Sequence, residues 1–504
     1  MAVGAPERLE FDKLLGYSYP VAMKKSAPKA TTPFRLVDCG AWVSEIRTRI
    51  PFRYGSACLT ASPSLLVQVT IETAAGKQAV GLAGDCLPPA WFDKNPKKTY
   101  KQQVDDQIGA FRKAREIYLL LGDSFRSTFE LWEEVYPRVL EEGLASGWNA
   151  LTAAFGSSFF ERATIDAVCR AGNATFHEGL KSGLLGIDGS QHLPPRPLRS
   201  VACRHTVGLG DPLTIGEIPQ GERLNDALPQ ALEEDIEFYG LRCFKVKVQG
   251  NNDHDVQRLS RLAALFSQRC RNGYMVSLDG NEQYESLDGL HALVEALRER
   301  PYGQEFVDSI AFIEQPLHRD LALDRMAAAG ITELGQLKPV IIDESDDQLD
   351  SFTRAVDLGY RGTSHKNCKG IFRSLHNNAK VHRLNKERGE QFYFQTAEDL
   401  VNLPVLPLHQ DLASICALGI EHAERNGHHF FRGLDHLPRE EAEATLRAHP
   451  DLYEEREDSV FLRVVDGTIL CDSIVDAHGY GYASEISRTA RTPLDDWSFD
   501  SLGL

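Results

Sequence analysis

The chain has 504 residues, 42% hydrophobic and 25% charged, a balance that excludes wholesale disorder and allows two to four domains or one large barrel with attachments. Lys plus Arg number 55 against 72 Asp plus Glu, a net charge of −17, which argues against broad binding to nucleic acid or to anionic membranes. No apolar stretch approaches the ~18–20 residues of a membrane span. The ten cysteines are scattered, with no CxxC, and Met1 to Arg8 lack the basic-then-apolar run of a secretory signal. A reducing cytoplasm is therefore the expected compartment, without a disulfide framework or structural zinc at cysteines.

Residues 1–36, with Lys24, Lys25, Lys29 and several prolines, show no sustained period and read as an arm. From Trp42 to Ile50, Leu65 to Thr73 and Gln78 to Gly84 apolar and polar residues alternate, as in half-buried antiparallel strands. Helical patterns follow, including Val104 to Leu121 and Ser158 to Leu180, so 37–192 form an α+β unit. After the proline-rich break at Leu193 the pattern changes to short apolar runs alternating with amphipathic helices. The runs are Val201 to Val207, Cys243 to Val248, Tyr274 to Leu278, Ile310 to Ile313, Val340 to Ile342, a polar one near Gly362, Phe392 to Gln395 and His429 to Phe431. The helices between them include Val256 to Arg269, Leu287 to Leu297, Leu321 to Ala329, Phe372 to Leu384 and Asp411 to Arg425. Eight such units fit a (β/α)8 barrel over 193–454. In 455–504, a hairpin is expected around Asp466-Gly467; it needs a neighbour to cover it, so this segment is expected to return to the first unit.

A parallel barrel carries its chemistry at the C-terminal strand ends. Asp279, Glu314 and Asp343 end three successive runs, each about one βαβ unit apart. Alone, each is more often a cap or loop charge; three in register make an all-oxygen ligand set suited to Mg²⁺, with Mn²⁺ as the substitute ion. Lys245 and Lys247, two apart on a strand, share a side. Crowded cations disfavour one another's protonation, which should lower their pKa towards general-base range. The plain alternative is a charge-protected edge strand. Lys366 ends the sixth run across the barrel mouth, with Lys369 as its rival. His365 should point out of the barrel, and the histidines at 409, 422, 428 and 429, in or beside a helix, are assigned no chemistry.

In this order and spacing, Lys245-x-Lys247, Asp279-x-Asn281, Glu314-Gln-Pro, Asp343-Glu-Ser and the strand-end Lys366 resemble the muconate lactonizing enzyme subgroup of the enolase superfamily. Arg49 to Gly55 is similar to the loop with which that family's N-terminal domain caps its site. The resemblance covers about residues 38 to 485, with 93–150 longer than the family pattern. It implies a Mg²⁺-dependent enzyme that removes the proton α to a carboxylate. Asp279, Glu314 and Asp343 would hold the metal, Lys247 and Lys366 would be the acid/base pair, and Lys245 would steady the substrate carboxylate. Phe52 to Ala57, Thr396 to Asp399 and Gly433 to His436 would line the substrate pocket, with Asn281 on the face of Asp279; Asp435 would do so by likeness to an acid of dipeptide epimerases or, as readily, be a turn residue. The seventh run has no histidine, which argues against the mandelate racemase arrangement. An isomerase is the leading expectation, a lyase on the same scaffold the alternative, and a non-catalytic barrel the remote one. The expected partners are a small carboxylic acid and further copies of the chain.

Overall fold

The computed structural model describes residues 31–55 and 57–504; most of the expected N-terminal arm lies outside them. Three strands, β1 (Phe34–Tyr54), β2 (Ala57–Thr73) and β3 (Gln78–Cys86), form an antiparallel meander. The alternation seen in the sequence becomes burial: Val67, Val69 and Ile71 of β2 all lie on one covered face. Helices α1 (Tyr100–Leu121) and α3 (Ala150–Gly172) pack on that sheet, and α2 (Thr128–Ala145) packs on the two of them. Each begins at a polar residue, Thr99, Ser127 and Asn149, whose side chain accepts a backbone N–H of the first turn. β3 and α3 approach so closely that a Cβ on Gly81 would fall 2.0 Å from the Ala163 carbonyl oxygen. Arg162, buried in α3, donates to the Gly84 carbonyl at 2.9 Å and pairs with Asp85.

The second unit is a closed parallel barrel of eight strands. These are β4 (Ser200–Val207), β5 (Cys243–Lys247), β6 (Met275–Asp279), β7 (Ile310–Glu314), β8 (Val340–Ile342), β9 (Gly362–His365), β10 (Phe394–Ala397) and β11 (His422–Arg425). Each pairs with the next, and β11 closes on β4. The register sets Lys247 beside Asp279 and Asp279 beside Glu314, all at strand ends.

The eighth strand is displaced from its expected place. The helix expected over Asp411 to Arg425 runs instead from Leu406 to Leu418 and stops at Gly419 in the left-handed region, φ 76°. The chain then extends through His422–Arg425, whereas Gly427–Phe430, which overlaps the expected strand, is a short helix. Polarity hid the strand: Glu424 and Arg425 are buried because ion pairs satisfy them. Similarly, only Arg319–Ala322 forms a short helix around the expected Leu321 to Ala329, and the next helix starts at Ile331.

At the C-terminal end, β12 (Tyr453–Arg456) and β13 (Ser459–Leu462) pair with each other. Asp466 and Gly467, at φ 49° and 70°, form a tight turn closed by Val465 and Thr468. The expected long hairpin does not form, because β14 (Thr468–Leu470) leaves to pair antiparallel with β4. β15 (Thr492–Pro493) then pairs with β1. The last segment thus touches both units. Among the described residues, no helix is long and apolar enough to cross a membrane.

Candidate active site

The strand ends bring five of the expected residues into one buried group. Lys245, Lys247, Asp279, Glu314 and Asp343 are each at most 5% exposed, and Lys366 joins them from just beyond β9. Lys247 Nζ donates to Asp279 Oδ2 at 2.6 Å, and Lys366 Nζ donates to Asp343 Oδ2 at 2.6 Å. β5 and β9 stand four places apart in a ring of eight, so these two amines approach from opposite sides of the mouth. The three acids fill the arc between them.

Lys245 sits in a cage of acids. Its Nζ lies 2.9 Å from Glu314, 2.8 Å from Glu398, 2.9 Å from Glu424 and 3.0 Å from Asp279. Burial works against its charge, but those four carboxylates raise its pKa well above the ordinary lysine value. Lys366 is raised too, burial again opposing and Asp343 prevailing. At Lys245 the surrounding acids therefore outweigh the lowering expected from a neighbouring cation. Glu314 is pushed well above the carboxylate range by burial, then by Asp279 and Glu398. Asp343 goes the other way, well below it, because Lys366 and Lys369 outweigh the burial.

Lys366 and Lys369 both reach Asp343 but face different spaces. Lys366 lines the cavity above the acids and lies 4.3 Å from the centre of the Trp91 ring. Lys369 points behind the carboxylate, donating to the Asp343 carbonyl at 2.6 Å and to Ser364 Oγ at 2.9 Å. Asn281 lines the same cavity, and its backbone N–H donates to Asp279 Oδ1 at 2.8 Å. His365 turns outward, sharing a hydrogen bond with Ser374 Oγ at 2.7 Å.

Two expected pocket residues lie elsewhere. Thr396 is buried below the cavity, where its hydroxyl donates to Glu398 at 2.8 Å. Asp435 is exposed beside Arg432, with which it pairs at 2.5 Å; it lines a different depression, formed with Glu45, Arg47 and Arg49. Its placement followed from the misplaced eighth strand.

The structure adds residues to the site: Phe52, Tyr54, Glu398 and Asp399 lie inside segments expected to line the pocket, whereas Glu424, Trp91 and Lys94 lie outside them. Glu398, just past β10, and Glu424, in β11, complete the cage around Lys245. Glu398 carries the same signal as the other acids, an ionisable residue ending a strand; Glu424 does so only once His422–Arg425 is seen to be a strand. The cap contributes Phe52, Tyr54 and Trp91 to the cavity, and the loop after β10 contributes Asp399, Leu400 and Val401. Lys94 reaches from the cap to the Asn281 carbonyl at 2.9 Å and pairs with Glu282. Arg319 donates to the carbonyls of Trp91 and Phe92 at 2.8 and 2.9 Å, locking this segment to the barrel.

The triad suits a hard divalent cation. All three side chains are carboxylates, and Glu314 Oε2 is buried without a hydrogen-bond partner.

No family model matches the chain, and no curated protein matches it in sequence. Solved structures share its fold. A mandelate racemase/muconate lactonizing protein from Herpetosiphon aurantiacus is 18% identical, covering 92% of this chain and 100% of its own, with a TM-score of 0.58. A muconate lactonizing enzyme from Mycobacterium smegmatis, complexed with muconolactone, is 20% identical over 91% and 100% of the two chains, TM-score 0.56. An enolase from Bradyrhizobium, complexed with magnesium and mandelic acid, is 14% identical over 92% and 99%, TM-score 0.56. The chain therefore has the capped (β/α)8-type barrel of the enolase and muconate lactonizing structures.

Proposed function

We propose that on this shared fold the chain is an enzyme of the enolase superfamily, resembling the muconate lactonizing subgroup, that abstracts the α-proton of a small carboxylic acid and acts as an isomerase. The observation that carries this reading is the placement of Lys247 and Lys366. Two amines enter one cavity from diametrically opposite strands, each 2.6 Å from a different acid of the triad. An α-carbon held between them can lose its proton to one side and regain it from the other.

Asp279, Glu314 and Asp343 would hold the metal, Mg²⁺ before Mn²⁺ by their hardness. When bound, such an ion supplies the positive charge that offsets the charge developing on the substrate carboxylate. Asp279 and Asp343 orient the two lysines through their hydrogen bonds. Lys245, held by four acids, keeps the floor of the site compact. Phe52, Tyr54, Trp91, Leu400 and Val401 exclude water over the reacting carbon. Burial raises Asp399 at the edge of the cavity to about 6, against the lowering by Arg425.

The test is solvent-deuterium exchange at the α-carbon with a panel of carboxylic acids, followed by product mass. K247A should lose exchange with one enantiomer and K366A with the other, each by ~10²–10⁴-fold, and interconversion should vanish in both. Equal partial losses for both enantiomers would mean one-base chemistry; a product lighter by a leaving group would mean a lyase.

A further inference from the structure

A second cluster of metal-ligating side chains lies behind the barrel wall, outside the cavity. Along β4, Arg204 and Thr206 turn inward to Glu398 and Glu424, so His205 between them turns outward. There it meets Asp235, from the helix Leu232–Tyr239, together with His428 and His429. His205, Asp235 and His429 are at most 3% exposed, and one donor atom from each lies within 4.8 Å of the other two. His429 Nδ1 is 3.0 Å from Asp235 Oδ1, and His205 Nε2 is 3.9 Å from Asp235 Oδ2. That Oδ2 is buried with no hydrogen-bond partner, an arrangement that is costly unless something else satisfies it. His205 Nδ1 shares a hydrogen bond with His428 Nε2 at 3.0 Å. This fixes the ring and leaves Nε2 towards Asp235, as in metal sites whose ligand histidines are oriented through their other nitrogen.

We propose that His205, Asp235 and His429 form a second, structural metal site, for a zinc-class divalent cation. Two imidazole nitrogens and one carboxylate oxygen match zinc rather than magnesium. Small side-chain rotations bring such donors to the ~2.0–2.2 Å that zinc takes. The site ties β4, the helix Leu232–Tyr239 and the segment Gly427–Phe430 together. The last of these carries the cap: the His429 carbonyl accepts from Arg49 at 2.8 Å, and Phe430 stacks on Phe52 at 4.1 Å. The bound ion thus fixes the wall against which the cap loop rests, without touching substrate.

The probe is Co²⁺, added to chelator-treated full-length protein in excess Mg²⁺, which occupies the oxygen-only triad. The unmodified protein should take up ~1 equivalent of Co²⁺, its three protein donors and one water giving the intense visible bands of a four-coordinate site, displaced by ~1 equivalent of Zn²⁺ counted by elemental analysis. D235N and H429Q should each weaken binding by more than ~10-fold, whereas E314Q should leave it unchanged. Absence of tight Co²⁺ or Zn²⁺ uptake by the unmodified protein would overturn the proposal, leaving Asp235 and His429 as a plain ion pair. Equal uptake by D235N and H429Q would overturn it as well, and loss of uptake in E314Q would place the ion at the barrel mouth instead.

Discussion

Replacing Lys245 with Met tests the electrostatic centre of the barrel. Met keeps the unbranched stem and removes only the ammonium group, which holds four carboxylates at 2.8 to 3.0 Å. All four are buried; the most exposed, Glu424, is at 2%. Removing one member of a buried ion pair costs about 3–5 kcal/mol, and with four acids on one cation the loss should reach at least that range. The sign with pH follows from the acids. Lys245 lowers Asp279, Glu314 and Glu424 against their burial; without it burial raises their folded-state pKa values, so the fold is favoured while they are protonated and loses stability as pH climbs through those values. K245M should therefore be destabilised by ~3–5 kcal/mol at pH 8, and markedly less at pH 5. Urea unfolding of both proteins in EDTA, followed by far-ultraviolet circular dichroism at the two pH values, reads the difference. A deficit below ~1 kcal/mol, or one that is the same at both pH values, would mean that the cage is not held by charge.

Three further outcomes are expected. E314Q should abolish metal-dependent turnover while leaving the melting curve of the metal-free protein in place, because neutralising Glu314 removes a ligand but also a crowded buried charge; unchanged metal affinity and turnover would show the triad to be misassigned. Burial pushes Glu161 up to about 7, although Trp132 Nε1 and the Phe372 N–H both donate to it. Its folded pKa is raised, so its contribution is present below ~4.5 and lost as pH rises through ~7, by up to about 3 kcal/mol; urea titrations across pH 5 to 8 should show that slope in the native protein and a flatter one in E161Q. Ending the chain after Pro438 removes the partner strands of β4 and β1 and should yield insoluble protein, whereas a soluble, active product would show that the last segment is dispensable.

The periodicity of the chain made the meander and most of the barrel legible, because those strands are apolar on the faces they bury. It failed at β11, where burial is achieved by pairing Glu424 with Lys245 and Arg425 with Asp411; no hydrophobicity pattern registers a strand whose core contacts are ionic. The same polarity made β9 faint, and it was found only through its neighbours. For the site, strand-end position was sufficient to find the triad and both lysines, since register in a closed barrel turns distant sequence into adjacent space. Position could not tell Lys366 from Lys369, which differ by one turn of a short helix. Nor could it show the four-acid surroundings of Lys245, half of which come from β10 and β11.

The opposition of β5 and β9 also divides the molecule into separately adjustable parts. The groups proposed to move protons, and the acids between them, occupy one arc of a rigid ring. The apolar roof comes from Phe52, Tyr54, Trp91, Leu400 and Val401, carried by the cap and by one loop. Variation in those five positions can reshape what the cavity accepts while the machinery beneath keeps its spacing. A scaffold partitioned in this way can change substrates by drift in its roof, and a library confined to those positions is the economical place to redirect it.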